Sequence, residues 1–129
     1  MNEKELVETA RAAAQGSYSP YSRFRVGAVV VGAEGEVFTG ANVENASYPV
    51  SNCAEATAIN TAVAAGVREI DVVAVACIDA ENTDGAYPCG RCRQIMAEFG
   101  VKRVVVTAGE GSEVRWYSLD ELLPHRFSR

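Results

Sequence analysis

The stretch that most narrows the possible folds is IDVVAVACI, Ile70 to Ile78. Only Asp71 interrupts its apolar run, and this is the pattern of a strand buried on both faces. The rest of the chain must therefore cover that strand from two sides. Asn2 with Glu5 predicts a capping box, and Leu6, Val7, Ala10, Ala13 and Ala14 repeat at helical spacing before Gly16. RVGAVVVG and EVFTG flank the turn segment AEGE and read as a β-hairpin. CAEATAINTAVAA, Cys53 to Ala65, reads as a second helix closed by Gly66. CGRCRQIMAEFG, Cys89 to Gly100, reads as a third, with Ile95, Met96 and Phe99 facing inward. RVVVT and VRWYS are two more strands, and SLDELL is a short helix with Ser118 and Glu121 at its cap.

The order α-β-β-α-β-α-β-β-α predicts an α/β fold. It is a three-layer α/β/α sandwich, a five-stranded mixed sheet with helices on both faces and one antiparallel hairpin strand. A chain of 129 residues can bury a real core, and the expectation is one domain over 1–129, without repeat or linker. ANVENASYPVSN and DAENTDGAYP show no periodicity and are expected to be loops.

Charge and hydropathy exclude several classes of function. The net charge is −5 and the basic residues are scattered, whereas nucleic-acid binders carry a basic patch or stripe. No run approaches 18 apolar residues, so no membrane span is expected. The N-terminal MNEKELVETARAAAQG has no apolar core of a signal peptide. A cytoplasmic protein is expected, with its thiols reduced, and there four cysteines favour metal binding or catalysis over disulfides.

Those cysteines are not equivalent. Cys53 opens the second helix and Cys89 the third, while Cys92 lies one turn beyond Cys89 and can face the same point. Two helix N-termini brought together favour thiolates there. Cys77 lies inside the apolar strand, where a free cysteine is ordinary packing, and His125 follows Pro124 near the C-terminus. That leaves three sulfur ligands and an open position, the donor count of a catalytic rather than a structural zinc site. Glu55, two residues after Cys53, has two readings. With Asn52 it would make a capping box, yet a carboxylate beside such a site is also what metal-assisted hydrolysis requires. CAE followed by PCGRC fits the H-x-E…P-C-x-x-C signature of zinc nucleobase deaminases, with cysteine in the first place.

FRVGAVV, GANVENASYPVSNCAEATAI, PCGRCRQIM and ELLPHRF occur in the order seen in the small homotetrameric cytidine deaminases, and the chain resembles that family over almost its whole length. The resemblance implies one zinc ion per chain on Cys53, Cys89 and Cys92, with Glu55 moving protons. It implies Asn42 and Glu44 on ribose hydroxyls, Phe24 against the pyrimidine, and the backbone near Ala54 and Cys89 on the base. It also implies that Ala46 to Tyr48 and the terminal Phe127 reach the site of a neighbouring subunit in a homotetramer. Taken alone, Asn42 and Glu44 also suit a turn, and Phe24 also suits a core.

The expected reaction is hydrolysis of cytidine, and of 2′-deoxycytidine, to the uridine nucleoside and ammonia, in pyrimidine salvage. Ala56 departs from the family's CAER, which has an arginine at that place. Three thiolates leave the site negative, so Arg91, between two ligands, is the expected replacement, with Arg93 next. PCGRC and the missing arginine also occur in deaminases of the nucleoside antibiotic blasticidin S. A non-catalytic zinc module is the alternative from another class.

Overall fold

A computed structural model describes residues 1–129. The apolar run becomes β3 (Ile70–Cys77), the middle strand of five. Around it lie β1 (Val26–Gly32), β2 (Val37–Ala41), β4 (Arg103–Thr107) and β5 (Val114–Ser118), in the order β2-β1-β3-β4-β5. The helices are α1 (Glu3–Ala14), α2 (Ala54–Ala64), α3 (Gly90–Glu98) and α4 (Leu119–Leu122).

The sheet is mixed, but less parallel than a single antiparallel hairpin strand would make it. β1 runs antiparallel to both β2 and β3, β3 is parallel to β4, and β4 is antiparallel to β5. The connections explain the difference. The chain passes from β2 through α2 to β3, which runs the same way as β2, and β1 lies between them opposing both. β4 and β5 form a second hairpin around the AGEGSE segment.

Because side chains alternate along a strand, the inner strands feed two cores. Val29, Ala74 and Val105 stand side by side and pack with Leu6, Val7 and Ala10 of α1. Their neighbours Ala28, Val75 and Val106 point the other way, into the larger core built with α2, α3 and α4 through Ile59, Met96 and Leu119. β3 thus has one helix layer on each face, as its sequence requires. Two glycines let the helices approach. A Cβ on Gly27 would stand 2.1 Å from the Ala10 carbonyl oxygen, and one on Gly40 would stand 2.5 Å from the Ala58 nitrogen.

Two of the three capping boxes read from the sequence form, Asn2 with Glu5 on α1 and Ser118 with Glu121 on α4. Gly66 and Gly100 follow α2 and α3 at φ 102° and 67°, the left-handed closure that glycine permits. The two polar segments hold more order than a lack of periodicity suggests. Val43 bridges Tyr18 and Asn52, and 3₁₀ turns form at Tyr48–Val50 and Thr83–Gly85. Such turns depend on local groups, such as the Asn82 side chain accepting from Asp84 N, and leave no repeat to read.

Candidate active site

Cys53 is the N-cap residue of α2 and Cys89 that of α3, so each sulfur stands at the positive end of a helix. Cys92, one turn into α3, is completely buried. The three sulfur atoms lie within 4.8 Å of one another. Zinc binds thiolates at about 2.3 Å, so sulfurs this close need only a small adjustment to share one ion. An all-sulfur set of three suits zinc and leaves room for a fourth ligand. Cys77 and His125 are outside the group, as expected.

The thiols share their charge unevenly. The Cys53 thiol is pulled down to about 6, first because Cys92 donates to its sulfur, with help from the Cys89 thiol and the Arg91 guanidinium. Cys92 is pushed up, since it holds its proton between that sulfur and a buried setting. The arrangement therefore favours a thiolate on Cys53 over one on Cys92. Burial pushes Cys77 up to about 12, so it stays a neutral thiol. The arginines separate clearly. Arg91 lies beside the Cys53 sulfur, whereas Arg93 donates Nε to the Pro88 carbonyl at 2.8 Å and Nη1 to the Leu122 carbonyl at 2.6 Å. Ala56 is fully buried.

Glu55 is not a cap. The expected box with Asn52 does not form, because Asn52 is extended and exchanges both backbone hydrogen bonds with Val43. The helix starts one residue later, with Cys53 as N-cap and without a side-chain cap bond, which puts Glu55 second in the helix. Its carboxyl is turned inward at 4% exposure. Burial raises its pKa to about 7, and the charge on Cys53 adds to the rise. A carboxyl that titrates near neutrality beside a metal-competent cluster can both take and give a proton.

The cluster opens on a cleft of about 260 Å³. Phe24, Asn42, Glu44, Cys53, Ala54, Glu55 and Cys89 all line it, so residues far apart in sequence meet as expected. Phe24 also packs on the larger core, as its core reading expects. Asn42 is held on three sides. Its Oδ1 accepts from Ser17 Oγ at 2.6 Å and from Val26 N at 2.9 Å, and its Nδ2 donates to the Phe24 carbonyl at 2.8 Å. Glu44 Oε1 accepts from the backbone of Tyr21 and Ser22 at 3.0 Å each, and Oε2 accepts from Ser22 Oγ. These bonds, the Ser22 hydroxyl first, hold its pKa below the ordinary carboxylate value.

Ala46, Tyr48 and Phe127 do not enter the cleft. Tyr48 is 70% exposed and Phe127 68%. Tyr48 borders an adjacent hollow that shares Glu44. Sequence reasoning missed Val26, Val75 and Cys77 as lining residues, since each reads as plain core. It also missed Gly85, Ala86 and Tyr87, whose one signal is their place directly before PCGRC.

A family model, described as the cytidine and deoxycytidylate deaminase zinc-binding region, matches residues 1–108. A cytidine deaminase of Halalkalibacterium halodurans is 43% identical over 129 residues, 99% of this chain and 96% of that protein. The crystal structure of cytidine deaminase from Burkholderia pseudomallei superposes with a TM-score of 0.90 at 45% identity, covering 98% of this chain and 100% of that one. A blasticidin-S deaminase of Bacillus cereus is 30% identical over 130 residues, 97% of this chain and 91% of that protein. The chain belongs to the cytidine and deoxycytidylate deaminase family.

Proposed function

We propose that the protein hydrolyses cytidine, and 2′-deoxycytidine, to the uridine nucleoside and ammonia, with zinc held by Cys53, Cys89 and Cys92. The observation that carries this reading is Glu55, a buried carboxyl beside three clustered sulfurs on the wall of a nucleoside-sized cleft. Zinc, when bound, supplies the Lewis acidity that makes water a competent nucleophile near neutral pH. Glu55 accepts a proton from the attacking water and passes it to N3 of the ring as C4 becomes tetrahedral. It then takes the remaining hydroxyl proton and delivers it to the amino group, which leaves as ammonia while C4 regains its carbonyl.

Phe24 packs against the pyrimidine, and the backbone near Ala54 and Cys89 holds its edge. Glu44 stays ionised and keeps acceptor capacity on Oε2, which suits a ribose hydroxyl, and Asn42 has one amide hydrogen left to offer. Their internal bonds position them for that task. Arg91 takes the place of the arginine absent at Ala56 by donating toward the Cys53 sulfur, a role supported by its effect on that thiol.

A homotetramer is part of the proposal. Tyr18, Tyr48, Val50 and Phe127 are each more than half exposed, apolar side chains that a second copy of the chain would cover. Ala46, Tyr48 and Phe127 then complete a neighbour's site. The pathway role is pyrimidine salvage in the cytoplasm. No helix is long and apolar enough to cross a membrane.

Blasticidin S is the second reading, favoured by Ala56, PCGRC and the Bacillus cereus relative. Purified protein should cause loss of absorbance with cytidine and little with blasticidin S. The opposite ranking would reverse the assignment.

A further inference from the structure

Between β3 and α3 the chain passes along one side of the cleft, where Gly85, Ala86, Tyr87 and Cys89 line it. The backbone of this segment bonds almost only to itself. Ala80 N donates to the Cys77 carbonyl, Gly85 N to Asn82 and Ala86 N to Thr83, and from Asp79 to Pro88 no other backbone-to-backbone bond forms. Side chains therefore fix where this wall stands. Asp79 pairs with Arg25 at its start, and Arg93 holds the Pro88 carbonyl at its end.

Between those points the ties all run to β5 and the residue before it. Thr83, buried, donates Oγ1 to Glu113 Oε1 at 3.1 Å. The hydroxyls of Tyr87 and Tyr117 are 2.5 Å apart. Arg115 Nη1 donates to the Tyr87 oxygen at 3.2 Å, and its Nη2 donates to Glu113 Oε1 at 2.7 Å. Thr83, Tyr87, Glu113, Arg115 and Tyr117 thus form one connected network. Glu113, Arg115 and Tyr117 do not line the cleft. They reach it only through the wall.

We propose that Glu113, Arg115 and Tyr117 are positioning residues that clamp the Thr83–Tyr87 wall and so set how tightly the cytosine base is held; this rests on the cytidine-deaminating reading above. The wall runs directly into Cys89, so a base whose C4 faces the three sulfurs rests against it. Contacts of this kind act on bound substrate and transition state alike. Loosening them raises KM and spares kcat.

The test compares the zinc-loaded protein with Tyr117→Phe, Arg115→Ala, Arg115→Lys, Tyr87→Phe and the Tyr87→Phe/Tyr117→Phe double variant. KM and kcat for cytidine, zinc content and hydrogen exchange are measured on each. Loss of one such hydrogen bond corresponds to about a fivefold rise in KM. That rise is expected for Tyr117→Phe and Arg115→Ala, with kcat within about twofold and zinc retained. Arg115→Lys should recover part of the loss, and the double variant should be no worse than Tyr87→Phe alone. Exchange should quicken over Asp79–Cys89 and stay unchanged in α2. An unchanged KM, or exchange that is unchanged or quickens equally throughout, overturns the clamp. A parent protein that leaves cytidine untouched overturns the functional reading instead, and the exchange comparison still decides whether these side chains hold the wall.

Discussion

Glu55→Gln separates proton transfer from packing, because glutamine has nearly the same shape and cannot ionise. The side chain is 4% exposed, and burial lifts its pKa from 4.5 to about 7 in the metal-free protein. A raised pKa means that ionisation opposes folding. Below pH 4.5 the group is neutral in both folded and unfolded chains and has no effect. Stability is then lost as pH rises toward 7, and above that the loss is constant at about 3 kcal/mol. Glutamine removes the loss. In chelator-treated protein the variant should melt at the parent's temperature near pH 4.5 and about 10 °C above it at pH 8. With zinc restored, cytidine turnover should fall by at least about 10²-fold, the lower end of what general acid–base catalysis contributes. Thermal melts at the two pH values and an absorbance assay measure both arms. A variant that gains no stability at pH 8, or that turns over cytidine at near-parental rate, would refute the picture of a desolvated proton carrier.

Metal analysis should find zinc in the parent and in Cys77→Ala, whose neutral thiol is outside the sulfur cluster. It should find zinc lost from Cys53→Ala, Cys89→Ala and Cys92→Ala, and an empty Cys77→Ala would point to a four-cysteine site. Glu44→Ala should lower kcat/KM for cytidine by at least about tenfold with little change in melting temperature. Free cytosine should be a poor substrate of the parent, since it forgoes the sugar contacts. Arg91→Ala should move the rise of the pH–rate profile upward, because the negative Cys53 sulfur loses its neighbouring cation. Arg93→Ala should instead lower the melting temperature and leave that profile in place, since its bonds go to the Pro88 and Leu122 carbonyls. A silent Arg91→Ala with a shifted Arg93→Ala profile would exchange their roles.

How much of the fold could be read depended on whether a signal was periodic or relational. Val72 to Cys77 announce a doubly covered strand because burial on both faces removes polar residues from every second position. Strand direction leaves no comparable mark. β1 has its apolar run whether it pairs parallel or antiparallel, and only the path of α2 across it decides that it opposes β3. The false capping box on α2 has a similar origin. Asn52 and Glu55 have the right spacing for one, but Val43 had already taken the Asn52 backbone into a bridge. A pairing nine residues away outweighed a local preference.

The site divides along the same line. Sulfur ligands were legible because a metal demands particular atoms, and two of them open helices whose starts are visible in the sequence. Tyr87 was not legible, because an aromatic residue before Pro88 is ordinary until Arg115 and Tyr117, about thirty residues on, are seen to hold its hydroxyl. Asn42 and Glu44 stand between these cases. Their residue types suit a sugar, yet Val26, Tyr21 and Ser22 already use most of their bonding capacity. The loop that presents them is thus held by the same side chains that we propose meet the substrate. A substitution at either position disturbs both, so the sugar assignment turns on whether activity falls further than melting temperature does.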